Sequence, residues 1–581
     1  MELNENQNKV VKAMEQNILC IAPPGSGKTR VLVERAAYMI EHRNVSPYEM
    51  LLLTFTRKAA GEMRARIEER IGFQAKNITI GTFHAVALRL IQRFGNQIGL
   101  RPGRITVYGD WETQYLLKDI AKELGIYKKA WKPRKKDIDA VFNHYYNTGE
   151  PPVETDPVYP LFISFAARLR ENNSLTYGSI LTGLNLLLPD IYEHLKWKHI
   201  MMDESQDSDA LQWSLVENIR RECKTTLFCV ADVQQSIYSF RGAVPEYLIQ
   251  HQDEFIIYHL EINYRSDSYI VEAANNLISH NEERIAKSMK PFKKFRHPVK
   301  VVHNIDSGAL VSLIRKILKT ANTKNIAVLA RNHYLLRKTS ELLKEAEISH
   351  TYIGEKTKLT NTENFRKFHA FLKLIVNPFD QFSFLLVREI IGISTQEYAD
   401  IRLQAVKEGK SHFQVWHEHY TATPFECAES HGKNSLADIS DATDIIFKTK
   451  HDTWKSDTSD FIYQWILDNP TGTIEDYLSW LAVYDIQDEI KENPKGVQIM
   501  TCHAAKGLEF KTVIIAGMNE GILPSKRDQS IEAIESERRL FYVAVTRAED
   551  QLIITSRPTE SEFHGKTITE PVSRFLGELE T

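Results

Sequence analysis

The chain is expected to be α/β, with parallel sheets flanked by helices and more than one domain, and three observations carry that expectation. Residues 18–29, ILCIAPPGSGKT, are an apolar run that empties into a glycine-rich turn ending in Lys28 and Thr29, with the helical pattern RVLVERAAYMIEH directly after it. Two further apolar runs, MLLLTFT at 50–56 and ITIGTFHAVA at 78–87, also end in polar, aromatic or glycine-rich residues. Strands that finish in this way belong to a doubly wound sheet whose site lies at the strands' carboxyl ends. The length, 581 residues, exceeds the roughly 250–300 at which a single core stops growing.

The first run predicts a phosphate cradle. A glycine-rich turn between strand and helix aims backbone N–H groups and the positive helix end at one anion. The strict GxxxxGK[ST] spacing asks for glycine at 22, where this chain has Ala22, and Pro23 and Pro24 carry no N–H. The amides of Gly25, Ser26, Gly27, Lys28 and Thr29 must then form the cradle, with Lys28 reaching the β- and γ-phosphates and Thr29 offering its hydroxyl to Mg2+. Upstream, LNENQ starts a helix with Asn4 as its cap, and the amide of Gln7 both donates and accepts, as an adenine edge requires.

The composition, 43% hydrophobic and 26% charged, is that of an ordinary globular protein. No apolar run approaches the roughly 20 residues that span a bilayer, and the polar start MELNENQNKVVKAMEQN is unlike a signal peptide. The five cysteines, Cys20, Cys223, Cys229, Cys427 and Cys502, show no CxxC spacing, which points away from structural zinc and iron–sulfur clusters and toward a reducing cytoplasm. With a net charge of −3, any nucleic-acid site has to be local.

Further along, MLLLTFT runs into the basic helix RKAAGEMRARIEERI, and Phe55 and Thr56 present an aromatic plane and a hydroxyl where a nucleic-acid strand would pass. The third strand closes on Gly81, Thr82, Phe83 and His84. Residues 86–184 turn helical and are too long for a βα connection, so they are expected to be an insertion. Its basic cluster KKAWKPRKK at 128–136 suits either a solvated helix face or a phosphate-backbone patch. WKHIMMDESQD at 197–207 is a strand ending in Asp203, a carboxylate for Mg2+, and Glu204, a base for the attacking water. TTLFCVADVQQSIYSFRGA at 225–243 then places Asp232, Gln234 and Gln235, which suit γ-phosphate sensing, beside Tyr238, Phe240 and Arg241, which suit stacking on unpaired bases.

AxxGSGKT, TFTxKAAxEM, GTFH, DESQD, ADVQQSIYSFRGA, LEINYRS (260–266), VQIMTCHAAKGLEF (497–510) and ERRLFYVAVTRA (537–548) occur in this order. Together they resemble the motif series of superfamily 1A DNA helicases, the UvrD/Rep/PcrA group, over nearly the whole chain. The resemblance implies two RecA-like P-loop motor domains, each a parallel sheet with flanking helices and each interrupted by a mainly helical insertion. The first motor would comprise 1–85 and 185–262 with the insertion 86–184, and the second 263–380 and 471–570 with a short regulatory insertion at 381–470.

It also implies site residues. ATP would be held by Gln7, by Pro24 through Arg30 (Pro24, Gly25, Ser26, Gly27, Lys28, Thr29, Arg30), by Tyr264 stacked on adenine and by Glu509 on the ribose. Arg265 and Arg547 would be arginine fingers on the second motor, meeting the γ-phosphate as the cleft closes. Gln235 would couple hydrolysis to movement. Phe55, Thr56, Arg57, His84, Tyr238, Phe240, Arg241, Thr501 and His503 would line the single-stranded DNA path.

The chain departs from the pattern in places. Arg57 stands where the family commonly has asparagine and Phe240 where it commonly has tryptophan; LTYGSI at 175–180 replaces an acidic patch; the middle insertion is short, and so is the tail after about 560, so that no fused nuclease is expected. The resulting expectation is an ATP- and Mg2+-dependent helicase moving 3′ to 5′ on single-stranded DNA and at single-strand/duplex junctions, as a monomer or a weakly self-associating one. The alternative is a DNA-stimulated motor subunit that needs a nuclease or a repair or replication factor to unwind.

Overall fold

The fold was analysed in a computed structural model that describes residues 2–125, 135–282, 289–353, 362–419, 457–469, 472–482, 495–558, 560–563 and 566–580. Most of the basic cluster at 128–136 lies outside these residues. Two compact units result. One comprises Met1–Thr82, Leu195–Glu355 and Asp485–Thr581, the other Phe83–His194 and Lys356–Tyr484.

The first unit carries two six-stranded sheets, parallel throughout. In the first, the strands run Thr79–Thr82, Met50–Thr54, His199–Met202, Thr226–Ala231, Asn17–Ile21 and Ile256–His259 in spatial order. In the second the order is Lys300–Val302, Ala548–Thr555, Phe510–Ala516, Ile326–Ala330, Val497–Thr501 and His350–Tyr352. The central strands are buried end to end, which is why they read as unbroken apolar runs instead of alternating ones. Ile18, Leu52, Met201, Phe228 and Val230 belong to the core of the first sheet, and Ala327, Leu329, Val513 and Ile515 to that of the second. These are two RecA-like domains, and each sheet is interrupted in sequence by a mainly helical segment.

Local signals explain several boundaries. The helix Glu5–Lys12 opens on a reciprocal cap between Asn4 and Gln7, and Arg57–Ile71 opens on Thr56, whose hydroxyl oxygen accepts from Ala59 N at 3.1 Å. The third strand is shorter than its sequence suggests. It stops at Thr82, and Phe83 and His84 begin the helix Phe83–Phe94.

Among its described residues, the second unit is helical apart from a small parallel pair, Thr106–Tyr108 with Ser174–Thr176. Residues 362–380 and 472–482 pack here, beyond the expected 381–470. Phe368, Phe371 and Leu372 of helix Glu363–Val376 share a core with Trp465, Ile474 and Tyr477. A buried polar knot joins this segment to the earlier one. Asp380 accepts from Tyr108 Oη at 2.5 Å, Thr106 Oγ1 at 3.0 Å and Ser383 Oγ at 2.8 Å, and Lys373 pairs with Glu112 at 2.6 Å.

Candidate nucleotide site and its aromatic wall

The cradle forms where the strand Asn17–Ile21 gives way to the helix Lys28–Arg43. Gly25 and Gly27 sit at φ +68° and +86°, a region that side-chain-bearing residues rarely adopt. Space forbids a side chain as well, because a Cβ on Gly25 would meet Arg265 Cβ at 2.6 Å and one on Gly27 would meet Gln7 Nε2 at 3.0 Å. The Ser26 amide and hydroxyl both turn back to Pro23 O, at 3.3 and 2.7 Å. Of the five amides expected in the cradle, Ser26's is therefore already engaged.

Two carboxylates face the loop from the end of the strand His199–Met202. Lys28 Nζ lies 3.2 and 3.3 Å from the two oxygens of Glu204, and Thr29 Oγ1 donates to Asp203 Oδ2 at 3.2 Å. Glu204 holds a positive φ of 51°, local strain of the kind that persists where surrounding contacts over-determine it. Burial raises the proton affinity of both acids. For Glu204 the cations of Lys28 and Lys506 outweigh burial and hold it well below the usual range, whereas Asp203, buried beside the Glu204 charge, is pushed up.

All of this lines one cavity of about 640 Å3, whose wall also includes Phe55, Thr56, Gln235, Tyr238, Arg265, Lys506, Glu509 and Arg547. Arg547 is buried. Its guanidinium donates to Gln235 Oε1 at 3.1 Å, Leu508 O at 3.1 Å and Val543 O at 3.0 Å, and burial together with the Arg265 cation lowers its pKa to about 9, leaving it charged at neutral pH. Gln235 also donates to Asp232 Oδ2 at 2.8 Å. It thus ties the end of a first-sheet strand to an arginine of the second sheet.

The segment 263–267 straps the two sheets together. Asn263 Nδ2 donates to Pro24 O at 2.8 Å and Tyr264 N to Gly25 O at 2.9 Å, while Ser266 Oγ donates to Ala548 O at 2.7 Å and Asp267 N to Glu549 O at 2.8 Å. Arg265 therefore has its backbone next to the phosphate loop and its side chain on the second sheet, donating to Glu509 Oε2 at 2.8 Å and to Thr546 O at 3.4 Å. Glu509, expected at a ribose, is paired with that arginine here. Gln7 is buried, donating to Ser26 O and accepting from Asn4 N, both at 3.0 Å, and Asn4 Nδ2 donates to Tyr264 Oη at 2.7 Å. Gln7 and Tyr264, the two residues expected near adenine, thus adjoin the loop.

Several expected DNA contacts are occupied within the protein. Tyr238 is 3% exposed, stacked on Phe55 at 4.9 Å, with Arg241 and Lys506 over its ring; it is not an open stacking face. Thr501 Oγ1 accepts from Ala504 N at 3.2 Å, a turn cap comparable to that of Thr56. Phe240 is 69% exposed, edge-on to His503. Burial, with Arg331, Arg241 and Lys506 nearby, lowers the His503 pKa to about 3. Arg57 opens its helix. In the second unit, His84 stacks on Tyr177 at 4.1 Å, and burial lowers its pKa to about 4.

Three further residues, not singled out by the sequence, are bonded into the site. Lys506 pairs with the buried Asp207 and donates to Gln235 O at 2.8 Å. Gln206 donates to Glu204 Oε2 at 2.5 Å and accepts from Asp232 N at 3.0 Å. Asn263 is the third. All stand inside the quoted motifs, but only their partners, far away in sequence, reveal what they do.

As for a metal, among the described residues no group of three or more His, Cys, Asp or Glu side chains is placed to hold one by itself. The Thr29 hydroxyl and Asp203 carboxylate do fit a hard divalent cation, whose remaining ligands would come from a nucleotide and water.

Fold and site together define a P-loop nucleotide-binding protein with one cavity built from two RecA-like sheets. The chain belongs to the UvrD/Rep helicase family. Residues 3–256 match the UvrD/Rep helicase N-terminal domain, and residues 258–420 and 437–558 match the UvrD-like helicase C-terminal domain. Among curated relatives it is 28% identical, over 99% of its own length, to the ATP-dependent DNA helicases PcrA of Staphylococcus epidermidis and Bacillus subtilis, spanning 86% and 85% of those proteins. PcrA of Staphylococcus aureus is equally similar, at 28% identity with 86% of its length covered.

Proposed function

We propose that the chain is an ATP-dependent DNA helicase that hydrolyses ATP to move 3′ to 5′ along single-stranded DNA and separate strands at junctions. One observation supports this above the others: the Lys28–Glu204 pair, the arginines 265 and 547 and the stacked Phe55–Tyr238 pair line the same cavity. A change at the nucleotide is then felt directly by aromatic residues on the proposed DNA path. The polarity rests on the motif resemblance set out above.

Each residue has a physical role in this reading. Arriving phosphates draw Lys28 away from Glu204, and loss of that cation makes Glu204 a stronger base for the water proton. Arg265 exchanges Glu509 for the γ-phosphate, and Arg547 reaches it as Gln235 shifts. Thr29 and Asp203 would hold Mg2+, which when bound neutralises charge on the β- and γ-phosphates. Tyr264 and Gln7 keep the adenine end in place. Tyr238, released from Phe55, then becomes available to bases together with Phe240 and Arg241.

The test is steady-state ATP hydrolysis with and without single-stranded DNA, beside strand displacement on duplexes with a 3′ or a 5′ tail. Strong stimulation with unwinding from the 3′ tail alone supports the proposal. Stimulation without unwinding overturns the helicase part. Lys28→Ala should lower hydrolysis by at least roughly a hundredfold while single-strand binding persists; full activity in that variant would overturn the site.

A further inference from the structure

Two buried polar atoms in the cavity wall have no partner within the protein. Thr54, the last residue of the strand Met50–Thr54, is 2% exposed and lines the cavity with Lys28, Thr29, Asp203 and Glu204. Its Oγ1 is buried and makes no hydrogen bond. The sheet sets it beside the carboxylates: Leu53 is in register with Met202 in the neighbouring strand, and Asp203 N donates to Leu53 O at 2.9 Å. On the same wall, Asp207 gives one carboxylate oxygen to Lys506 and leaves Oδ1 buried and unpartnered.

A buried hydroxyl without a partner destabilises the fold, and valine, of the same shape, would fill the site without that penalty. Leu51, Leu52 and Leu53 show that the strand is otherwise aliphatic. Packing alone therefore does not account for threonine at the carboxyl end, and the occupant of the cavity must. Phosphate oxygens are drawn to Lys28 and the loop amides, and Asp207 repels an anion. Water satisfies both a hydroxyl and a carboxylate oxygen.

We infer that Thr54 is a further catalytic residue, whose hydroxyl holds the water that attacks the γ-phosphate. The inference rests on the reading of this cavity as the site of ATP hydrolysis. In the step, the water oxygen bonds to the γ-phosphorus, the bond from that phosphorus to the β–γ bridging oxygen breaks with its electron pair leaving on ADP, and the water proton passes to Glu204. Thr54 keeps its own proton and fixes the angle of attack.

Two variants of the full chain, Thr54→Val and Thr54→Ser, compared with wild type, test it. With saturating single-stranded DNA, Thr54→Val should lose roughly a hundredfold in kcat, the scale of one hydrogen bond made in the transition state, with KM for ATP changed less than about threefold. Thr54→Ser should recover to within about threefold of wild type. The thermal midpoint of Thr54→Val without nucleotide should equal or exceed that of wild type, because an unpaired buried hydroxyl has gone. A Thr54→Val enzyme that turns over like wild type, a loss confined to KM, or a lowered midpoint with no rescue by serine each overturns the inference. The controls separate it from the broader reading: wild-type protein without DNA-stimulated hydrolysis refutes the proposed function itself, whereas an active wild type with an equally active valine variant refutes only the role of Thr54.

Discussion

At the scale of single residues, burial decides what each polar group can do. His369 shows it away from the nucleotide. It is 3% exposed, with Nδ1 2.6 Å from Phe365 O and Nε2 2.7 Å from Tyr477 Oη, an arrangement that suits the neutral ring donating at one nitrogen and accepting at the other. Burial lowers its pKa to about 3 from an ordinary value of 6.5. The folded state therefore binds the proton less well than the unfolded state, so the contribution is intact above pH 6.5 and is lost as pH falls from 6.5 toward 3. At pH 5 the loss should be about 2 kcal/mol. Denaturant titrations at pH 7 and pH 5 measure it, and His369→Gln should remove most of the difference between them. Tyr238 teaches the same lesson nearer the site, since no composition or spacing could say that its ring lies against Phe55. Lys28, Asp203 and Glu204 were legible in the sequence because a strand end followed by polar groups has few alternatives.

At the scale of elements, the turns carry the chemistry and their conformations limit substitution. Gly25→Ala places a Cβ against Arg265 Cβ in a backbone conformation that disfavours side chains. The local strain should be about 1–2 kcal/mol, and because the loop itself must move, affinity for a non-hydrolysable ATP analogue should fall at least roughly tenfold, as titration calorimetry would show. Strands, helix caps and the phosphate turn were readable because each depends on neighbours a few residues away. The start of the helix at Phe83 was not, since the strand passes into it without an intervening loop. The double allegiance of 263–267, bonded to the phosphate loop at one end and to the second sheet at the other, is likewise silent in the sequence. It turns Arg265 from a residue of the second motor into one shared by both.

At the scale of the whole molecule, each unit depends on contacts between segments distant in the chain. In the helical unit the knot around Asp380 joins residues 106, 108, 377 and 383. Asp380→Ala should leave the hydroxyls of Thr106 and Tyr108 without their acceptor and cost about 3 kcal/mol, read as an earlier chemical unfolding transition with ATP-analogue affinity unchanged. The grouping of 362–380 and 472–482 with this unit follows from an apolar helix face whose partner lies about a hundred residues away, which periodicity cannot name. By itself, the sequence determined the α/β class, the phosphate loop, the paired carboxylates and the family, because each resides in a short stretch whose local chemistry is self-sufficient. The tertiary structure alone decided which groups meet: Gln235 with Arg547, Asp207 with Lys506, Arg265 with Glu509. Such pairs join charges and amides hundreds of residues apart, and only the folding of two sheets around one cavity sets the distances that make them interact.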